Sequence, residues 1–267
     1  MKLGISSYTF GWAVGVNGFA RSVSLNERDL LDMATRENIG VLQIGDNLPL
    51  HTIHHSTLAD FGAAAKERNV QLEIGARRLV PERIAQYAEV ARTVGARLIR
   101  FVIDDADYRP DPNSIIDILK DSARLLNGLV LGIENHDRFQ AKTLRHIIEA
   151  SADERIGVCL DTANSLGAGE GIEIVAETLA PLTINLHIKD FWIERVPYLM
   201  GFNVTGRPAG SGMLNVRKLL ETLAPHNRCE TAVLELWTPP EARIEDTVAK
   251  EARWASESLK YLKPFFT

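Results

Sequence analysis

The sequence predicts a (β/α)8 barrel made as a single domain over residues 1–267, and three observations carry that reading. The chain has 267 residues, close to the roughly 250 such a barrel needs. Its 45% hydrophobic and 24% charged composition is that of a globular protein with a full core. Most telling, eight short apolar runs rich in β-branched residues alternate with eight amphipathic stretches of helical period, the pattern of strands buried on both faces and covered by crossover helices. An open doubly wound sheet is the competing architecture. The first strand-to-helix turn lacks a GxGxxG fingerprint, and eight near-equal units favour closure.

The elements follow in order. The first strand covers residues 2–7, and a Gly-rich aromatic loop, YTFGWAVGVNGFARS, is too long for a plain connector and is expected to help cover a site. Asn26 caps a helix to about residue 38, with Leu30, Leu31 and Ala34 on one face. Strand two is residues 41–44; the loop GDNLPLHTIHHS follows, with Ser56 as N-cap of a helix over 57–68. Strand three, 70–74, carries Glu73 inside it. Pro81 opens the next helix, which ends near Gly95.

Strand four is residues 97–103, and Arg100 in its middle is either an ion-pair partner of Glu73, the favoured reading, or a substrate anchor. After the acidic loop DDADYRPDP a helix covers 113–127 and stops at Gly128. Strand five (129–134), a helix over 141–150, strand six (156–161), a helix over 171–180 and strand seven (183–188) come next. The long segment WIERVPYLMGFNVTGRPAGSG then precedes a helix over 214–223, strand eight (231–236) and a last helix over 241–262.

Four of these strands end on groups that a buried strand does not tolerate unpaired: Glu134, Asp161, His187 and Glu235. One strand-end Glu alone is usually a cap or an ion-pair partner. Glu134 to Asp161 is 27 residues and Asp161 to His187 is 26, about one strand-plus-helix unit each, and in a barrel all C-terminal strand ends share one mouth. Two Glu, one Asp and one His are mostly hard oxygen donors with one nitrogen, a set for a single divalent metal ion, Mn2+, Mg2+ or Co2+, more than for structural zinc. Such an ion polarises a substrate carbonyl and acidifies the adjacent C–H. Glu134 and Glu235, on strands five and eight, are expected on opposite sides of the ring as an acid/base pair.

The motifs ENHDRF from Glu134, LDTAN ending at Asn164, HIKDF from His187 and LELW ending at Trp237 resemble those of the xylose isomerase-like TIM-barrel superfamily, which includes sugar isomerases, ketose 3-epimerases and endonuclease IV. The resemblance runs through the whole chain in element order. It implies that Glu134, Asp161, His187 and Glu235 bind the metal and that Glu134 and Glu235 carry protons, in an isomerase or epimerase acting on a small keto-sugar through a metal-bound enediolate. Many relatives have Asp-x-x-His where this chain has Asn164, which argues against a trinuclear DNA-repair site and weakens a plain epimerase assignment.

His136, Lys189, Arg207 and Asn164 are the candidate substrate contacts, with Lys189 and Arg207 suited to an anionic group. Both could instead sit in ion pairs that fix a loop. The segments MGFNVTGRPAGSG and DNLPL also resemble superfamily members that decarboxylate 3-oxo-isoapionate, so a carboxy-lyase acting on a 3-oxo sugar acid is the rival reaction. A barrel retained only for binding is a third reading. The glycine-containing GRPAGSG does not match a P-loop. Arg77-Arg78 reads as a short solvated cluster.

A net charge of −5 argues against nucleic acid as partner. No apolar run approaches the roughly 20 residues that span a bilayer, and the chain opens directly on a strand, so a cytoplasmic protein without a membrane partner is expected. Cys159 and Cys229, both in apolar runs, are expected to be reduced and unpaired. The sequence leaves the oligomeric state open; in the superfamily it resembles, proteins of this size are often dimers or tetramers, so a homo-oligomer is one expectation.

Overall fold

The computed structural model describes residues 1–16, 18–19 and 24–266. The apolar runs become strands β1 (Lys2–Ser6), β2 (Val41–Ile44), β3 (Gln71–Arg77), β4 (Leu98–Val102), β5 (Val130–Glu134), β6 (Ile156–Asp161) and β7 (Thr183–Ile188). A two-stranded antiparallel hairpin follows, β8 (Asp190–Arg195) with β9 (Phe202–Arg207), and then β10 (Thr231–Leu234). The eight parallel strands close in the order β1-β10-β7-β6-β5-β4-β3-β2, so this is a (β/α)8 barrel. In this ring β5 and β10 are three places apart, with β6 and β7 between them. Glu134 and Glu235 therefore flank the mouth at an angle and are not on opposite sides of the ring as expected.

The helices among the described residues are α1 (Gly11–Val14), α2 (Glu27–Arg36), α3 (His55–Glu67), α4 (Pro81–Val94), α5 (Pro112–Ser122), α6 (Ala141–Ser151), α7 (Ile172–Leu179), α8 (Val216–Leu223) and α9 (Ile244–Leu262). Local chemistry sets their ends. Asn26 and Asp29 form a reciprocal capping box at α2; Pro81 starts α4, and Gly95 ends it in the left-handed region at φ 73°. The cap of α3 is His54, whose ring nitrogen accepts from the Ser56 N–H, and Ser56 lies inside the helix. That corrects the expected Ser56 cap: helix geometry begins two residues earlier, and imidazole does the work of a hydroxyl.

Between strands and helices lies the main apolar layer, including Leu42, Ile44, Ile74, Ile99, Phe101, Leu131 and Ile133, each 1% exposed or less. Each such Leu or Ile contributes about 1.5–3 kcal/mol by leaving water. Gly62 on α3 is what lets α4 approach, because a Cβ there would meet the Val94 carbonyl oxygen at 2.6 Å. Putting any side chain at 62 would force the two helices apart.

Three further expectations change. The segment after β7, in which the sequence reading placed no strand, forms the β8–β9 hairpin, because Asp190 to Arg195 pair in register with Phe202 to Arg207. Strand β3 runs on to Arg77, three residues past its expected end. Arg100 pairs with Asp46 and Glu134 and not with Glu73. Its neighbours across the sheet are Gly75 and Gly132, so nothing on either side stops the long side chain from rising to the C-terminal mouth. Of the loop expected over residues 8–22, positions 17 and 20–22 lie outside the described residues. The part that is described turns into α1, whose Trp12 and Ala13 N–H groups bond the Glu251 carboxylate of α9. Both cysteines are free thiols.

Candidate metal centre and mouth

Strand alternation points every second residue into the barrel, so Glu134, Asp161 and His187 at the ends of β5, β6 and β7, and Glu235 one residue beyond β10, all face the axis at the same end. All four are at most 4% exposed. His187 Nδ1 stands 3.4 Å from Glu235 Oε1 and 3.9 Å from both Glu134 Oε1 and Asp161 Oδ2. Three carboxylates thus converge on one imidazole nitrogen.

The supporting contacts fix these groups from outside. Asn164 donates its amide to Glu134 Oε1 at 2.8 Å, and the backbone N–H groups of Ala163 and Asn164 both donate to Asp161 Oδ1 at 2.8 Å. Ser6 donates to Glu235 Oε1 at 3.0 Å. Lys189 Nζ lies 2.7 Å from Asp161 Oδ2 and 3.0 Å from Glu235 Oε2. Burial opposes the Lys189 charge, but Asp161, Glu235 and Glu134 overcome it and hold its pKa well above the ordinary lysine value. Burial likewise works against the Glu235 carboxylate; His187, Lys189 and Arg100 outweigh it and bring its pKa down to about 2.

A divalent ion fits this arrangement, on an observation about unfilled bonding capacity. Both ring nitrogens of His187, Asp161 Oδ2 and Glu134 Oε2 are buried without an aligned hydrogen-bond partner. The nearby Lys189 and Arg100 nitrogens are close enough for ion pairs, yet they are not aimed as hydrogen bonds. Buried atoms of this kind are costly to leave open. Asp161, His187 and Glu235 present ligand atoms within 4.8 Å of one another, as do Glu134, His187 and Cys159. Cys159 is a poor ligand: burial, with Glu134 adding to it, pushes its thiol pKa far up, and its Sγ donates to Asn185.

The other expected contacts are dispersed. His136 stands at the rim, 37% exposed, with Nδ1 2.6 Å from Asp137 Oδ1. Arg207 ends β9, bonds the Gly206 carbonyl and is not among the residues lining the mouth. The GRPAGSG segment folds around the Asp190 carboxylate of β8: Gly210, Gly212 and, just beyond the segment, Leu214 donate backbone N–H groups to it. Those donors are therefore used up internally.

Three polar mouth residues escaped the sequence reading: Tyr8, Asp46 and Arg77. Asp46 accepts from Tyr8 Oη at 3.0 Å and pairs with Arg100 at 2.9 Å and Arg77 at 3.2 Å. Burial again opposes the charge, and the two guanidiniums hold the Asp46 pKa at about 2. The available signal was position: the C-terminal ends of strands one to three face the same mouth as those of strands five to eight. A separate, more apolar cleft between α7 and α8, near Ile172, Met213 and Leu219, holds none of these groups.

Known proteins agree with this architecture. A relative named 3-oxo-isoapionate decarboxylase, from Pectobacterium atrosepticum, is 28% identical over 265 residues, covering 98% of this chain and 95% of the relative. The crystal structure of D-psicose 3-epimerase with D-tagatose, from Clostridium cellulolyticum H10, superimposes with a TM-score of 0.74 at 13% identity, covering 98% of this chain and 97% of that one. A xylose isomerase-like TIM barrel protein from Mycobacterium smegmatis, solved with magnesium, has a TM-score of 0.70 at 11% identity, with 98% and 97% covered. The family described as Xylose isomerase-like TIM barrel matches residues 50–265, and with the closed barrel and the clustered strand ends the chain belongs to that family.

Proposed function

We propose that this chain is a divalent-metal-dependent decarboxylase of a small 3-oxo sugar acid. The observation that carries the proposal is the charge inventory of the mouth. With His187 neutral, as an imidazole must be to hold a metal ion, Asp46, Glu134, Asp161 and Glu235 supply four negative charges against three positive ones from Arg77, Arg100 and Lys189. One divalent ion would turn that net −1 into +1, which a singly charged sugar acid neutralises and a neutral keto-sugar does not. The full-length relative named as a decarboxylase supports the same choice.

Glu134, Asp161, His187 and Glu235 would hold the ion. When bound, it would polarise the substrate's carbonyl and steady the negative charge that develops on that oxygen. In a 3-oxo acid the bond between C1 and C2 breaks, CO2 leaves, and the electron pair moves into an enediolate; a proton then returns to C2. Glu134 and Glu235 are the groups assigned to move that proton, kept in place by Asn164 and Ser6 respectively. Tyr8 and the arginine cluster close the far side of the mouth.

The test is proton NMR in D2O with the protein, Mg2+ and a panel of 3-oxo sugar acids, ketoses and ketose phosphates. Loss of one carbon as CO2 with deuterium in the product is the expected result. Deuterium next to a retained carbonyl, with the carbon count unchanged, would replace this reading with an isomerase or epimerase. The fold neighbours that are 3-epimerases make that the specific alternative.

A further inference from the structure

The candidate ligands lie on one side of the mouth, at the ends of β5, β6, β7 and β10. The other side, at the ends of β2, β3 and β4, is built differently. Arg100 is 2% exposed, and its guanidinium lies against two glycines: a Cβ at Gly45 would come within 3.1 Å of its Nη2, and one at Gly75 within 3.1 Å of its Cζ. From that cradle Arg100 reaches Glu134 on one side and Asp46 on the other. Asp46 in turn accepts from Tyr8 and holds Arg77 through its Nε alone.

The two terminal nitrogens of Arg77 have no partner among the described residues, while the side chain is 36% exposed and lines the mouth. A guanidinium tethered by Nε presents its planar Nη1/Nη2 edge outward, the edge that pairs bidentately with a carboxylate. The other cations at the mouth are committed: Lys189 to Asp161 and Glu235, Arg100 to Asp46 and Glu134.

We infer that Arg77 binds the carboxylate of the substrate, with Asp46 and Arg100 as the positioning residues that aim it. This inference rests on the reading of the site as one for a sugar acid. It divides the mouth into a half that takes the substrate's oxo and hydroxyl oxygens and a half that takes its acid group. The chain Arg77–Asp46–Arg100–Glu134 ties the two halves together through three ion pairs.

The experiment is calorimetric titration of the Mn2+-loaded protein with D-erythronate, a sugar acid with no oxo group and hence no turnover, and with erythritol, its neutral counterpart. Wild type is expected to bind erythronate at least about tenfold more tightly than erythritol. Arg77→Gln should weaken erythronate by about 10- to 100-fold while erythritol and Mn2+ binding stay within about twofold of wild type, which also shows that the variant is folded. Arg77→Lys, which keeps the charge and loses the fork, should recover only part of the loss. Unchanged erythronate affinity in Arg77→Gln, or a wild type that does not distinguish the two ligands, overturns the assignment. Failure is separable from failure of the proposed reaction. Arg77-dependent erythronate binding in a protein that decarboxylates nothing keeps the anchor and removes the reaction; turnover with Arg77-independent binding does the reverse.

Discussion

Two layers of the barrel interior each bury carboxylate, and they treat it in opposite ways. In the lower layer Glu73 accepts from Thr231 at 2.7 Å, Gln43 at 3.1 Å and Asn185 at 3.2 Å, all neutral donors. Both of its oxygens are satisfied. Burial raises its pKa above the ordinary glutamate value even though those hydrogen bonds pull it down. In the upper layer Glu134 and Asp161 each keep an oxygen without an aligned donor, and His187 keeps both nitrogens. Below, the carboxylate itself is fully satisfied and serves the fold, although Gln43 Oε1 beside it has no partner among the described residues; above, carboxylate oxygens and both imidazole nitrogens are left to be completed by something else. The contrast predicts that the two sets of acidic residues in one barrel have different consequences when they are changed.

The largest break in that contrast is expected at His187. Replacing it by Ala removes the one nitrogen donor of the upper cluster, and turnover should fall at least about 1,000-fold and Mn2+ affinity at least about tenfold, read by assay and calorimetry. Glu134→Gln should abolish turnover with the fold kept, as seen by circular dichroism. A wild-type rate in either variant would remove that residue from the mechanism.

The lower layer should respond in stability instead. Glu73→Ala strands three buried donors and should cost about 3 kcal/mol in urea unfolding, with Mn2+ affinity unchanged. Glu73→Gln keeps the shape and removes a buried acid whose folded pKa is raised. Such a group weakens the fold increasingly as pH rises above its unfolded pKa, so this variant should be as stable as wild type or more so at pH 7 to 8. Equal losses for Ala and Gln would show that charge, not hydrogen bonding, governs the layer.

Asp46 should show the opposite pH dependence. Its folded pKa of about 2 lies below the usual aspartate range because Arg100 and Arg77 outweigh burial. Its contribution is therefore present above about pH 4 and disappears as pH falls towards 2, a difference of at most about 2 kcal/mol. Asp46→Asn should flatten that acid limb in melts taken from pH 5 to pH 2. The smallest effect is expected from Gly75→Ala, where the new Cβ meets the Arg100 Cζ at 3.1 Å. A cost of about 1–2 kcal/mol in urea unfolding, with no change for the exposed pair Arg145→Ala beyond about 0.5 kcal/mol, would show that the cradle and not surface charge holds the arginine.

How legible these layers are in the sequence follows from range. The strands, the Asn26 and Pro81 helix starts and the convergence of Glu134, Asp161, His187 and Glu235 depend on local period and on the rule that parallel strand ends meet, and both can be read along the chain. The partner of Arg100 could not. Its choice of Asp46 and Glu134 over Glu73 depends on Gly45, Gly75 and Gly132 standing beside it from other strands. Arg77 was hidden because strand three reads as ending at residue 74 and Arg77-Arg78 as a solvated cluster, although β3 continues to Arg77. The β8–β9 hairpin was hidden because its strands carry mixed polar and exposed apolar residues with no buried face to impose alternation. Among the described residues no helix is long and apolar enough to cross a membrane.

The most direct measurement is anomalous diffraction at the manganese edge from crystals grown with Mn2+. One peak among Glu134, Asp161, His187 and Glu235, with none beside Glu73, is the result predicted by an open upper layer over a closed lower one. A peak beside Glu73, or none at the upper cluster, would contradict it.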